Sequence, residues 1–278
     1  MSGRSGLKVF MSVDMEGISG IVHGSQTSRD QHDYEKGRAL MVGDVNAAIE
    51  GVLAFGDAEI VVADGHGGMM NMQPEDLHEA AVLVRGRPKP LSQVAGMDET
   101  YDAALFVGYH SKKGTKHGVM SHTYSGASVE RLTVNGIELG ETAMNAAIAG
   151  HYGVPLVFVA GDVATTLEAK ELSEDIEVAA VKEAIGRTAA KCLHPDVAHE
   201  LITEGVARAL KKKVEPFTFE PPITVQIRFT GAKRADAAAF IPTAERLDGK
   251  TIRFKTDDYI TAFHAFIASV LCAQAVSR

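Results

Sequence analysis

Cysteine is nearly absent from this chain. Its two cysteines, Cys192 and Cys272, stand far apart and supply neither a disulfide framework nor a C-x-x-C site. Any metal here must be held by oxygen and nitrogen ligands, and the pattern reads as a reduced, cytoplasmic protein. No apolar run approaches the roughly 20 residues that cross a bilayer. The opening Met1-Ser2-Gly3-Arg4-Ser5-Gly6 has no apolar core of the kind a secretory signal needs. Basic runs stop at Lys211-Lys212-Lys213, a triplet that suits a helix C-terminus. With 36 acids against 28 Lys plus Arg, the net charge is -8, and the cationic surplus of a nucleic-acid protein is missing. There is no fixed-period repeat and no low-complexity tract.

What remains is an ordinary globular composition, 45% hydrophobic and 23% charged over 278 residues, enough for one large domain or two modest ones. The chain is organised around Lys8-Val9-Phe10-Met11-Ser12-Val13-Asp14-Met15-Glu16-Gly17-Ile18-Ser19-Gly20. An apolar run typical of a buried strand ends in two carboxylates one residue apart, then in glycines. Side chains at i and i+2 of a strand share a face, so Asp14 and Glu16 project together. Carboxylates that close repel unless a proton or a cation lies between them.

The scheme recurs along the chain. Asp33 to Phe55 carries Met41, Val45, Ala48, Ile49 and Val52 at helical spacing. Glu59 to Ala63 is a short strand running into Asp64-Gly65-His66-Gly67-Gly68. Ala80 to Val84 reads as a strand stopped by Arg85-Gly86-Arg87-Pro88, and Asp102 to Val107 as one running into Gly108-Tyr109-His110. A glycine- and lysine-rich loop, Ser111 to Gly118, leads to Val119-Met120-Ser121-His122. Weak alternation over 128–138 around Asn135-Gly136 predicts a hairpin with a type I′ turn. Gly140-Glu141-Thr142 opens a helix through Ala149, and Pro155 to Ala160 is a further strand ending at Gly161-Asp162.

Strands alternating with helices predict an α/β fold, a mostly parallel sheet flanked by helices. Near Lys191-Cys192-Leu193-His194-Pro195 the character shifts. An amphipathic helix is expected over Pro195 to Lys213, then a proline-bearing linker over Glu215 to Pro222. Strands at Ile223 to Phe229 and Thr251 to Phe254 follow, and a final helix over Asp257 to Val276. The expected division is a catalytic α/β domain over 1–190 and a smaller C-terminal α+β subdomain over 191–278, packed on the first or serving subunit contacts.

Four polar clusters thus lie at or just beyond the ends of apolar strands, supplying Asp14 and Glu16, then His66, His110 and His122. Glu141 starts a helix further on. Carboxylates with imidazoles suit zinc, and also manganese, cobalt or iron. Singly, each has a bland account: His66 as a turn residue, His110 as a strand-end residue bonded to a carbonyl, Glu141 as an acid at a helix N-terminus. Their convergence is what points to a metal. Asp64 and Asp162, also at strand ends, are candidate partners for a ligand histidine. His23, His32, His78, His117, His151, His194, His199 and His264 read as structural or surface residues, with His117 notable for lying between two candidates.

Ser12-Val13-Asp14-Met15-Glu16-Gly17-Ile18-Ser19-Gly20, Asp64-Gly65-His66, Leu105-Phe106-Val107-Gly108-Tyr109-His110, Gly118-Val119-Met120-Ser121-His122 and Gly140-Glu141 follow one another in that order. Together they resemble the zinc D-aminopeptidases of the DppA type, peptidase family M55. The resemblance is collinear from Leu7 to Leu193 and weaker beyond. It implies two zinc ions per subunit, held by Asp14, Glu16, His66, His110 and Glu141 with Asp14 as the bridge. It implies His122 as the catalytic histidine, and a ring-shaped homo-decamer whose active sites face an inner chamber. The loop from His110 to His122 departs from the family pattern by about a residue of extra length, which bears on loop geometry and substrate preference.

The activity so implied removes the N-terminal residue of short peptides, D-amino-acid peptides such as D-Ala-D-Ala, using a water acidified between two ions. A free amino terminus that meets an ion or a carboxylate selects exopeptidase cleavage. His122 is then an oxyanion donor, a proton shuttle or a nucleophile; the sequence leaves all three open. Two other readings compete. One is another binuclear metallohydrolase, a phosphoesterase or cyclic amidase, for which Lys112, Lys113 or Lys116 would meet a phosphate. The other is a non-catalytic metal-binding ring protein, against which stands the retention of all six residues.

Overall fold

The apolar runs of this sequence fold as strands buried on both faces, in a computed structural model that describes residues 6–276. Residues 1–5 of the polar lead-in lie outside the described residues. In chain order come β1 (Leu7–Val13), α1 (Tyr34–Phe55), β2 (Ala58–Asp64), β3 (Ala81–Val84), β4 (Ala103–Tyr109), β5 (Val129–Val134), β6 (Ile137–Glu138), α2 (Glu141–His151) and β7 (Leu156–Asp162). They are followed by α3 (Val163–Leu172), β8 (Glu177–Gly186), β9 (Ala189–Cys192), α4 (Pro195–Ala209), β10 (Ile223–Phe229), α5 (Ala232–Ala238), β11 (Glu245–Arg246), β12 (Thr251–Thr256) and α6 (Tyr259–Ala275).

The larger sheet runs β3-β2-β1-β4-β7-β8-β9 and is parallel except for its last pair. Every residue of β4 and β7 is buried, the signature of a sheet covered on both faces. The chain steps one way from β1 through α1 to β2, and the other way from β4 through α2 to β7. Right-handed crossovers in opposite directions put α1 and α2 on opposite faces. α4 packs beside α1. The connections diverge between β1 and β4, and the strand ends there open into the crevice where such sheets bind ligands.

The smaller sheet, β11-β12-β10-β5-β6, is antiparallel throughout. β10 alternates between buried and half-buried residues, as a strand with one covered face should. The sheet draws on both sides of position 190, because the β5–β6 hairpin pairs with β10. At the hairpin turn Asn135 and Gly136 have φ of 50° and 83°, as the type I′ reading requires. α6 buries Tyr259, Ala262, Phe263, Phe266, Ser269, Val270 and Ala273 at helical spacing. Its start is fixed by Asp258, whose carboxylate accepts from Thr261 N at 2.7 Å.

Two expectations change. The amphipathic helix ends at Ala209 rather than Lys213, because the backbone tightens there: Lys211 N and Lys212 N donate to Arg208 O and Ala209 O, three residues back rather than four, and the lysine side chains beyond reach acids. Lys212 reaches Glu177 at 2.6 Å and Lys213 reaches Glu215 at 2.8 Å. Residues 163–192, which the patterning leaves unassigned, form α3, β8 and β9 and carry the large sheet out to seven strands.

Candidate metal centre

Val13 of β1 stands level with Asp64 of β2 on one side and Val107 of β4 on the other. Three adjacent strands therefore end at one edge, and each delivers ligand-type side chains within a few residues: Asp14 and Glu16, His66, and His110. The turns after β1 and β4 cross closely, with Asp14 N donating to Val107 O at 2.9 Å and Gly17 N to Gly108 O at 2.8 Å. Only glycine fits this crossing. A Cβ on Gly17 would lie 1.8 Å from Tyr109 O, and Gly108 has φ +72° with Asp14 O 2.2 Å from where its Cβ would be.

Glu141 is the first residue of α2, and its carboxylate turns into the cluster. It accepts from Tyr124 N at 2.7 Å and from Gln93 Nε2 at 2.6 Å. His66 Nδ1 lies 3.0 Å from both Asp14 Oδ1 and Glu16 Oε2. His110 Nε2 lies 3.5 Å from Asp14 Oδ2 and 3.2 Å from Glu141 Oε1. His122 Nε2 is 3.9 Å from Glu141 Oε1, and its ring stacks on that of His110 at 4.0 Å. All six residues singled out in the sequence thus stand together.

Three carboxylates and three imidazoles in so small a buried volume displace one another's protonation. Burial and the neighbouring Glu16 push Asp14 up. Against burial, the charge of His66 holds Glu16 down, and the charge of His110 does the same for Glu141. Against burial, Glu16 holds His66 up and Glu141 holds His110 up. His122 goes the other way, lowered by burial and by the His110 charge.

The residues fit a pair of divalent ions. Asp14, Glu16 and His110 bring one ligand atom each within 4.8 Å of one another, and so do His110, His122 and Glu141, two groups that share His110. Glu16 Oε2 and His110 Nε2 are buried without an aligned hydrogen-bond partner, although His66 and Glu141 stand close by. Oriented, orphaned lone pairs among oxygen and nitrogen donors are what a zinc site requires.

The sequence profile of the family Peptidase_M55, described as D-aminopeptidase, matches residues 7–268. The chain belongs to this family. It is similar to a D-aminopeptidase of Bacillus subtilis (strain 168), 39% identical over 274 residues that span 98% of this chain and 99% of that one. Among solved structures it is similar to the Zn-dependent D-aminopeptidase DppA from Bacillus subtilis, described as a self-compartmentalizing protease. That match has a TM-score of 0.94 and 38% identity, over 98% of this chain and 100% of the other.

In this member of the D-aminopeptidase family a second layer holds the first. Gln93 Nε2 also lies 3.3 Å from Asp14 Oδ2, and Gln93 Oε1 accepts from Asn145 Nδ2 at 2.6 Å. Asn145 in turn donates to the Tyr109 hydroxyl at 2.8 Å and accepts from the Tyr124 hydroxyl at 2.9 Å. Ser12 Oγ meets the Tyr109 hydroxyl at 2.7 Å. Sequence reasoning missed this layer. One signal existed: Asn145 lies four residues after Glu141, on the same helix face. Gln93 gave none beyond being polar in an apolar stretch.

The other sequence candidates sit elsewhere. Asp64 accepts from Asn71 N, Asn71 Nδ2 and Met72 N and shapes the loop after β2. Asp162 caps α3 through Thr165 N and accepts from Val119 N at 2.6 Å. Neither bonds to a ligand-type histidine. Lys112 pairs with Glu168 and Glu171, and Lys113 donates to Gly126 O and Val129 O, so neither faces the carboxylates. Lys116 and His117 are exposed.

The cluster opens into a cavity of about 270 Å³ whose floor includes Asp14, His66, Gln93, His122 and Glu141. α6 supplies one wall through Ile267, Val270, Leu271 and Gln274. Such a volume holds a short ligand. No helix of the described residues is long and apolar enough to cross a membrane.

Proposed function

We propose that this chain is a binuclear zinc aminopeptidase that removes the N-terminal residue of short peptides, with D-amino-acid peptides such as D-Ala-D-Ala as its substrates. The observation that carries this reading is the convergence of Asp14, Glu16, His66, His110 and Glu141 in one buried cluster, of which Asp14, His66 and Glu141 line a cavity, in a member of the D-aminopeptidase family. Asp14, Glu16, His66, His110 and Glu141 would hold two ions, with Asp14, in reach of both His66 and His110, between them. When bound, such a pair supplies Lewis acidity, acidifying a water and polarising a carbonyl.

The chain's own residues do the rest. His122 Nδ1 faces Met120 O at 3.0 Å, which leaves Nε2 directed at the cavity. From there it takes the proton that the attacking water gives up and returns it to the leaving amine. A substrate's free amino terminus enters beside Asp14 and Glu141, which line the cavity. Gln93 and Tyr124 N keep the Glu141 carboxylate in place while this happens. Copies of the chain would assemble as a ring of ten in the cytoplasm, a reading supported by similarity to a self-compartmentalizing protease.

The test is hydrolysis of D-Ala-D-Ala and L-Ala-L-Ala by the purified protein, with and without a chelator and zinc add-back, beside a phosphate monoester. Chelator-sensitive cleavage of the D-peptide is expected. Cleavage of the L-peptide would remove the D preference, and turnover of the phosphate ester alone would replace the reading with a phosphoesterase.

A further inference from the structure

Two cations line the cavity with no carboxylate paired to them. Arg87 Nη1 donates to Gly67 O at 3.1 Å and Lys89 Nζ donates to Asp64 O at 2.7 Å. Among the described residues those are the only hydrogen bonds either side chain makes, and neither is in an ion pair. Lys89 is half-buried, and burial draws its pKa down to about 8 against the field of Asp64. At neutral pH it is still an ammonium, with two N–H donors and no protein acceptor for them. A partly desolvated cation in that state is stabilised by an anion that enters beside it.

The cavity's lining carries both signs of charge. Asp14, Glu141, His66 and His122 face it, and so do Arg87 and Lys89 from the loop after β3, held on the turn that carries His66; Met69, Ile267 and Val270 supply apolar wall. A ligand that fills it meets acids or metal with one group and cations with another. A short peptide with both termini free carries that pattern of charge: an amine for the acidic side and a carboxylate for the cations. A long peptide does not. It would set an uncharged amide against Arg87 and Lys89 and desolvate them without compensation.

We propose that Lys89, assisted by Arg87, binds the free C-terminal carboxylate of a di- or tripeptide, and thereby restricts the site to short peptides that carry that carboxylate. This rests on the aminopeptidase reading above and names its substrate class. Lys89 is a specificity residue. It touches the substrate's far end and takes no part in bond breaking.

The experiment compares D-Ala-D-Ala with its C-terminal amide on the zinc-loaded protein, for wild type, Lys89→Met, Lys89→Arg and Arg87→Met. The wild type is expected to prefer the free acid by about tenfold or more in kcat/KM, chiefly through KM, because uniform binding is what the contact supplies. Lys89→Met should lose that preference, the free acid's kcat/KM falling while the amide's does not, Lys89→Arg should keep most of it, and Arg87→Met should lose part. Equal kcat/KM for acid and amide in the wild type overturns the inference while leaving the aminopeptidase reading intact. So does an equal fall for both substrates in Lys89→Met. Turnover of neither peptide overturns the aminopeptidase reading, and the inference with it.

Discussion

Gln93 Nε2 donates to Glu141 Oε2 at 2.6 Å and stands 3.3 Å from Asp14 Oδ2, so one neutral amide ties together two buried carboxylates that would otherwise repel. Its orientation is fixed from behind, because its Oε1 accepts from Asn145. Groups that orient metal ligands change affinity by about 10–100-fold when lost. Gln93→Leu is therefore expected to weaken zinc binding by about that factor, measured by chelator competition on the folded protein. Unchanged affinity would show that the two carboxylates hold their places unaided.

His122 is different in kind. Its closest carboxylate oxygen, Glu141 Oε1, is 3.9 Å away, farther than those around His66 and His110. His122→Ala should retain both zinc ions by metal analysis yet lose about 10²–10⁴-fold in kcat, the usual weight of a proton-transferring side chain. Full activity in that variant would remove His122 from the chemistry, and loss of an ion would make it a ligand.

The site residues were legible because each follows a short apolar run, and parallel strands with level ends put such residues side by side. Asp14, His66 and His110 could be found that way. Glu141 lies on α2 and His122 in a loop: the apolar Val119-Met120 before His122, read as a strand end like the others, is no strand, because it lies between β4 and β5, and the role given to His122 came from the family resemblance. The strands before position 160 were readable for the same reason. β8 was not, since Lys182 and Glu183 interrupt its apolar pattern and what makes it a strand is its pairing with β7. Gln93 and Lys89 were invisible for a related cause: their roles depend on which distant carboxylate or cavity the loop after β3 reaches.

Lys182 owes its burial to another long-range contact. From β8 its Nζ donates to Glu16 O and Ile18 O at 2.7 Å each and to Ile21 O at 2.5 Å, holding the turn that carries Glu16. Lys182→Met would leave three carbonyls without their donor. A loss of about 3 kcal/mol in unfolding free energy is expected, read by denaturant titration, together with weaker zinc binding as the turn loosens. A variant as stable as wild type would mean that water replaces the ammonium.

His199 on α4 offers a pH test away from the metal centre. Its Nε2 lies 3.4 Å from Asp44 Oδ1 of α1, and the same carboxylate accepts from Ser19 N and Ser19 Oγ. The Asp44 carboxylate beside it raises the His199 pKa above the ordinary imidazole value. A histidine raised on folding contributes stability that is fully present below the unfolded value. That contribution disappears as pH climbs through the folded one. Wild type should therefore melt about 1–2 °C above His199→Gln near pH 5.5, a modest gap because the imidazole is partly exposed. By pH 9, with the imidazole neutral in both folded and unfolded chains, the gap should close. Taking the difference between the two proteins cancels every other titration they share. A gap that widened with pH would mean that the neutral ring, through packing between α1 and α4, is what the fold uses.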